Sequence, residues 1–131
     1  MRLEDPLHVL VVDDSKMMRE RIVTLLNNNG TDCIIKTAVD VGTALVAMEA
    51  SRPQVVILDI SMPGTAKLHN GIDLLRWIRQ KHVNTEVIML TNLSEFAYRT
   101  ICMGLGAYAF LDKSSDFDQL TQLIDTIAAG L

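Results

Sequence analysis

The sequence predicts an α/β fold: a three-layer, doubly wound (βα)5 domain on a five-stranded parallel sheet. Three observations carry this. Five short apolar runs, several rich in Val and Ile, recur along the 131 residues, as expected of strands covered on both faces. Amphipathic segments with three- and four-residue apolar steps lie between the runs. Cap and turn residues separate the two patterns. Strands alternating with helices imply right-handed crossovers and helices on both faces of a parallel sheet.

The elements follow in order. LHVLVV at 7–12 is the first strand and leads into Asp13-Asp14. Residues 15–29 make a helix with Met18, Ile22, Leu25 and Leu26 on one face, Ser15 as N-cap and Asn-Asn-Asn-Gly at 27–30 as a glycine stop. CIIKTA at 33–38 is the second strand. Residues 40–50 form the next helix, placing Val41, Ala44, Leu45 and Met48 together, and Pro53 separates it from the third strand, VVILDI at 55–60. MPGTAKLHNG at 62–71 is a polar loop, followed by a helix over 72–81 that buries Leu74, Leu75 and Ile78. EVIMLT at 86–91 is the fourth strand. The helix over 95–103, with Ser94 placed to cap it, has its apolar residues most of the way round, so it is either buried or offers a sticky face. AYAFLD at 107–112 is the fifth strand. The last helix, 116–128, follows Ser115 as cap and aligns Phe117, Leu120, Leu123, Ile124 and Ile127.

Composition sets the bounds. Hydrophobic residues at 49% against 21% charged describe a globular chain rather than a disordered one. The length suits a single domain spanning 1–131. Twelve Lys and Arg against sixteen Asp and Glu give a net charge of −4, which argues against a nucleic-acid surface. No apolar run reaches the roughly 18 residues of a membrane span. The opening MRLEDP lacks the apolar segment of a secretory signal, so a cytoplasmic location is expected. Cys33 and Cys102 are expected to be reduced, buried thiols, and with His8, His69 and His82 scattered no zinc site of usual spacing is formed.

The carboxyl ends of the predicted strands carry the chemistry. In open parallel sheets this edge holds the functional crevice. Here the first strand ends at Asp13 and Asp14, the third at Asp59 and the fourth at Thr91, and Lys113 follows the fifth. Each residue alone has an ordinary reading as a cap, turn residue or solvated charge. The conjunction of acid pair, acid, hydroxyl and ammonium at four strand ends is what stands out. Two carboxylates about 4 Å apart repel by about 4 kcal/mol at an effective dielectric of 20, so such a cluster protonates, spreads or binds a cation. All-oxygen ligands suit Mg²⁺, or Mn²⁺, better than zinc. The set as a whole suits a phosphoryl group, with a carboxylate as nucleophile forming an aspartyl phosphate. A nucleotide or flavin site is not expected, because the first β-α turn, Asp-Asp-Ser-Lys, contains no glycine.

VVDDS (11–15), VVILDISMPG (55–64), GIDLLRWI (71–78), VIMLT (87–91) and GAYAFLDKS (106–114), in this order and spacing, resemble the receiver domain of bacterial two-component response regulators. The resemblance runs from about residue 9 to residue 127. It implies a flavodoxin-like sheet of order 2-1-3-4-5, for which this family is a standard example. It further implies that Asp59 is the phosphoacceptor. Asp14, Asp59 and the backbone carbonyl of Ser61 would be direct Mg²⁺ ligands, with Asp13 acting through water. Lys113 would pair with the phosphoryl group and Asp59, Thr91 would be the hydroxyl that swings toward it, and Phe110 the aromatic that changes rotamer with Thr91. Tyr108 has a structural reading. The donor would be a sensor histidine kinase or phosphotransfer protein. Output would pass to a downstream protein through the face of the fourth helix, fifth strand and fifth helix, from a monomer or a weak phosphorylation-dependent dimer.

Three departures from the family pattern stand out. Ser114 replaces the usual Pro, often cis. A cis bond before Ser would cost about 2.5–4 kcal/mol, which favours trans here, but the sequence does not decide the isomer. Asn92 follows the threonine where a small residue is usual. Gly71 comes late after Asp59, so residues 64–70 lengthen the loop, which reads as a tolerated surface insertion ahead of the alternative that it shapes partner choice. Family side chains two places after the acceptor and the threonine flank the path of the hydrolytic water; here they are Ser61 and Leu93. The alternative function is a Mg²⁺-dependent phosphatase or phosphotransferase with an Asp nucleophile. Enzymes of the haloacid-dehalogenase type usually carry a second Asp where this chain has Ser61.

Overall fold

A computed structural model describes residues 5–131. Its elements are β1 (Leu7–Val12), α1 (Lys16–Asn27), β2 (Cys33–Ala38), α2 (Val41–Ser51), β3 (Val55–Leu58), α3 (Gly71–Lys81), β4 (Glu86–Thr91), α4 (Phe96–Gly104), β5 (Ala109–Asp112) and α5 (Leu120–Ala129), the last preceded by one 3-10 turn at Phe117–Gln119. The strands pair in parallel in the order β2-β1-β3-β4-β5, the expected fold and strand order.

Strand alternation divides the core into two layers. Leu10, Val12, Val56, Leu58, Val87, Met89 and Phe110 pack with α2, α3 and Cys102 of α4. Val9, Val11, Ile57, Ile88, Leu90 and Leu111 pack on the other face with Ile22 and Leu26 of α1 and Leu120, Ile124 and Ile127 of α5. The central strands β3 and β4 are buried on both faces. β2 departs from that expectation: as an edge strand it exposes Ile34, Lys36 and Thr37.

The other differences have local causes. β3 stops at Leu58 rather than 60 because the chain turns at Asp59, although Ile60 and Met62 remain in the core. β5 begins at Ala109 because Gly106, at φ +99°, still belongs to the turn leaving α4. α1 closes without a glycine stop: the N–H of Asn28, in an ordinary right-handed conformation, donates to the Thr24 and Leu26 carbonyls. The left-handed helix stop falls instead at Arg52, φ 45°, ending α2 ahead of Pro53. Ser15 caps α1 as expected, but Ser94 and Ser115 cap nothing; both turn to Asp112. Cys102 is a buried free thiol, whereas Cys33 is only half-buried. Among the described residues no helix is long and apolar enough to cross a membrane.

Two glycines bracket the long loop between β3 and α3. A Cβ on Gly71 would collide with the backbone of Asp59 and Ile60, so only glycine lets α3 start against the end of β3. A Cβ on Gly64 would strike the backbone of Leu68 and His69. Between them the loop closes on itself: the Thr65 N–H donates to the Leu68 carbonyl at 2.7 Å, and the Leu68 N–H to the Thr65 hydroxyl at 3.0 Å.

Candidate functional site

Sheet register assembles the site. Val12 pairs with Leu58, so Asp13 and Asp59 leave adjacent strands side by side. Thr91 pairs with Asp112, and the next residue, Lys113, donates its N–H to the Thr91 carbonyl at 3.0 Å. Asp13, Asp59, Thr91 and Lys113 are all buried, while Asp14 is exposed at the rim.

The Lys113 ammonium bridges the two buried acids, 2.8 Å from Asp13 Oδ2 and 2.7 Å from Asp59 Oδ2. The other oxygens are held by backbone: the Ser15 N–H donates to Asp13 Oδ1 at 2.8 Å and the Ser61 N–H to Asp59 Oδ1 at 3.2 Å. Burial alone would lower the Lys113 pKa. Hydrogen bonds to Asp13 and Asp59, reinforced by their charges, outweigh it and leave the pKa raised. One oxygen from each of Asp13, Asp14 and Asp59 lies within 4.8 Å of the others, an all-carboxylate set with room for a hard divalent cation. The donor chemistry therefore fits Mg²⁺ or Mn²⁺.

The structure brings together Asp13, Asp14, Asp59 and Lys113. It holds two further candidates back from the acids. The Thr91 hydroxyl accepts the Leu93 N–H at 3.1 Å. The Phe110 ring is buried in the layer beneath α4. Leu93 packs against that same layer. An open cavity of about 470 Å³ adjoins Lys113, lined in part by Ser15, Arg21, Asn92, Ser114 and Asp118. Ser61 is exposed.

Sequence reasoning missed the supports. The Arg19 guanidinium donates to the Asp13 carbonyl at 2.8 Å. Asp112 organises the turn after Lys113, its carboxylate accepting the Ser114 N–H at 2.7 Å and the Ser115 N–H at 3.1 Å. The Ser94 hydroxyl, followed by these two N–H groups, holds the Asp112 pKa below the usual carboxylate range. The Lys113–Ser114 peptide, which the sequence left undecided, is trans. An acid followed two places later by serine was the available signal, an Asx-type turn.

A family profile described as response regulator receiver domain matches residues 9–125. A protein-glutamate methylesterase/protein-glutamine glutaminase of Clostridium acetobutylicum is 30% identical over 94% of this chain and 35% of its own length. The transcriptional regulatory protein DegU of Brevibacillus brevis is 25% identical over 97% of this chain and 52% of its own. The chain thus spans about a third to a half of these curated relatives. The signal receiver domain of the putative response regulator NarL from Mycobacterium tuberculosis superposes with a TM-score of 0.83 at 28% identity, covering 97% of this chain and 99% of that one.

Proposed function

The chain belongs to the response regulator receiver domain family, and from that premise we propose that residues 1–131 form one cytoplasmic receiver domain that switches on phosphorylation of Asp59. The observation that carries the assignment is the placing of Asp59: buried, beside a second acid, and hydrogen-bonded to a buried ammonium. A sensor histidine kinase or phosphotransfer protein presents phosphohistidine. An Asp59 oxygen attacks phosphorus and the O–P bond forms as the P–N bond breaks. The electron pair returns to the imidazole nitrogen, which takes up a proton. Lys113 moves from pairing two carboxylates to pairing a phosphoryl oxygen, and the Thr91 hydroxyl donates to another.

Asp14, Asp59 and the Ser61 carbonyl would hold Mg²⁺ or Mn²⁺, with Asp13 acting through water. When bound, the ion neutralises charge on the transferring group. Exposed Phe96, Ile101 and Met103 on α4 support the α4-β5-α5 face as the output surface. The relatives' activities are a methylesterase/glutaminase and a transcriptional regulator, so the protein that reads this switch is left open by kinship. Incubation with a small acyl phosphate and Mg²⁺ tests the reading. One phosphoryl adduct per chain, abolished by chelation, is expected; continuous turnover of a phosphate ester without an adduct supports the enzyme alternative.

The adduct is expected to be long-lived. Neither Leu93 nor its packing supplies a group that orients water near the acceptor. Leu93→Glu should release phosphate about tenfold faster, the equivalent of roughly 1.4 kcal/mol of barrier. Unchanged release, followed as free phosphate from purified adduct, would mean that Leu93 serves packing alone.

A further inference from the structure

α4 is the helix least anchored by burial. Only Cys102 of its nine residues is buried, and the helix has no side-chain N-cap. Phe96 is 81% exposed. Polar ties hold it to β5 instead. At its approach, Ser94 lies beside Asp112, the neighbour of Lys113, and its hydroxyl helps hold that carboxyl's pKa low. One turn into the helix, Arg99 makes a double contact with Phe110. Its guanidinium carbon lies 5.0 Å from the centroid of the ring, and Nη1 donates to the Phe110 carbonyl at 3.2 Å.

Phe has no hydroxyl, so the only polar handle on this ring is its π face. Arg fits that handle with a planar cation that stacks and donates at once. The ring sits in the layer shared with Cys102 and Leu93. Leu93 in turn is tied to the Thr91 hydroxyl through its N–H. Arg99 thus touches the ring of a core layer on which Leu93 also packs, and Leu93 is bonded to the Thr91 hydroxyl.

We propose that Arg99 is a positioning residue that holds Phe110 inward and thereby couples α4 to the occupancy of the Asp59 pocket. This rests on the phosphoryl-switch reading above. When Thr91 moves toward a phosphoryl oxygen, it gives up its bond to the Leu93 N–H, and a ring held inward keeps the layer on which Leu93 packs closed. Arg99 therefore favours the state that binds a phosphoryl group. Linkage makes the effect reciprocal: a ligand in the pocket strengthens the Arg99–Phe110 contact as much as the contact strengthens the ligand.

The test is the affinity of the full chain for trifluoroberyllate with Mg²⁺, a phosphoryl mimic, measured by calorimetry or amide shifts. Arg99→Ala should weaken binding by roughly threefold to tenfold, and Arg99→Lys, which keeps the cation but not the fork, by less. In a Phe110→Leu background, Arg99→Ala should cost distinctly less, because the π face is gone and only the bond to the carbonyl of residue 110 remains. Thermal melts without ligand report any general loss of stability separately. Wild type that fails to bind the mimic overturns the switch reading. Wild type that binds while Arg99→Ala binds equally well, or an undiminished Arg99 effect in the Phe110→Leu background, overturns the role of Arg99.

Discussion

Asp59→Asn should accept no phosphoryl group from any phosphohistidine or acyl phosphate donor, while folding as the wild type does. The loss is complete because an amide oxygen lacks the negative charge with which the carboxylate attacks phosphorus, and the neighbouring acid, Asp13, has its own oxygens engaged by Ser15 and Lys113. The fold survives because the single amide oxygen of asparagine keeps one of the two contacts, with Lys113 or with Ser61, and Lys113 still pairs with Asp13. The substitution also removes one of three crowded carboxylates, whose mutual repulsion at about 4 Å is of order 4 kcal/mol at an effective dielectric of 20. These opposing changes should leave the melting temperature within roughly 5 °C of wild type. Radiolabel or intact mass reads the transfer, and calorimetry the fold. Equal labelling of the variant would place the acceptor elsewhere.

Lys113→Met should be the most destabilising substitution in the pocket. The side chains of Asp13 and Asp59 are 3% and 6% exposed, and the single Lys113 ammonium pairs with both. Removing one partner of a buried ionic cluster leaves charge uncompensated, at a cost of about 3–5 kcal/mol. That corresponds to a fall in melting temperature of roughly 10–20 °C for a domain this size. The loss should be greatest under chelation and partly reversed by millimolar Mg²⁺, which supplies the missing positive charge. The alkaline behaviour of wild type follows from the same contact. The folded pKa of Lys113 is raised. Its stabilisation is therefore fully present below the unfolded lysine value of about 10.4 and lost as pH rises through the higher folded value. Melts of both proteins from neutral to alkaline pH check this. A variant as stable as wild type in chelator would show that the acids accommodate each other without the ammonium.

What the sequence made legible follows from range. Apolar alternation and helical steps are local, so the five strands, the helices and the edge that gathers Asp13, Asp14, Asp59 and Lys113 could be read directly. The Lys113–Asp59 contact spans 54 residues, yet strand ends alone predicted its neighbourhood. What escaped were side chains with competing partners. Ser94 and Ser115 have the chemistry of caps, but Asp112 reaches them first. Asn-Asn-Asn-Gly has the composition of a glycine stop, but the helix closes on Asn28. Arg99 gave no signal, since a lone arginine on a helix becomes a clamp only when a particular ring lies beneath it.

The glycines at 64 and 71 have an evolutionary consequence. Both are fixed by backbone collisions, one with the loop's own return and one with Asp59. The segment between them closes through Thr65 and Leu68, and only its last residues are tied down, Leu68 on the core and Asn70 as the N-cap of α3. Chain length can therefore drift inside this bracket without a register error reaching the acceptor. Its exposed tip at Ala66 and Lys67 is in effect quarantined: a lineage can lengthen the loop there, and an experimenter can graft an epitope there, while the acidic edge keeps its geometry.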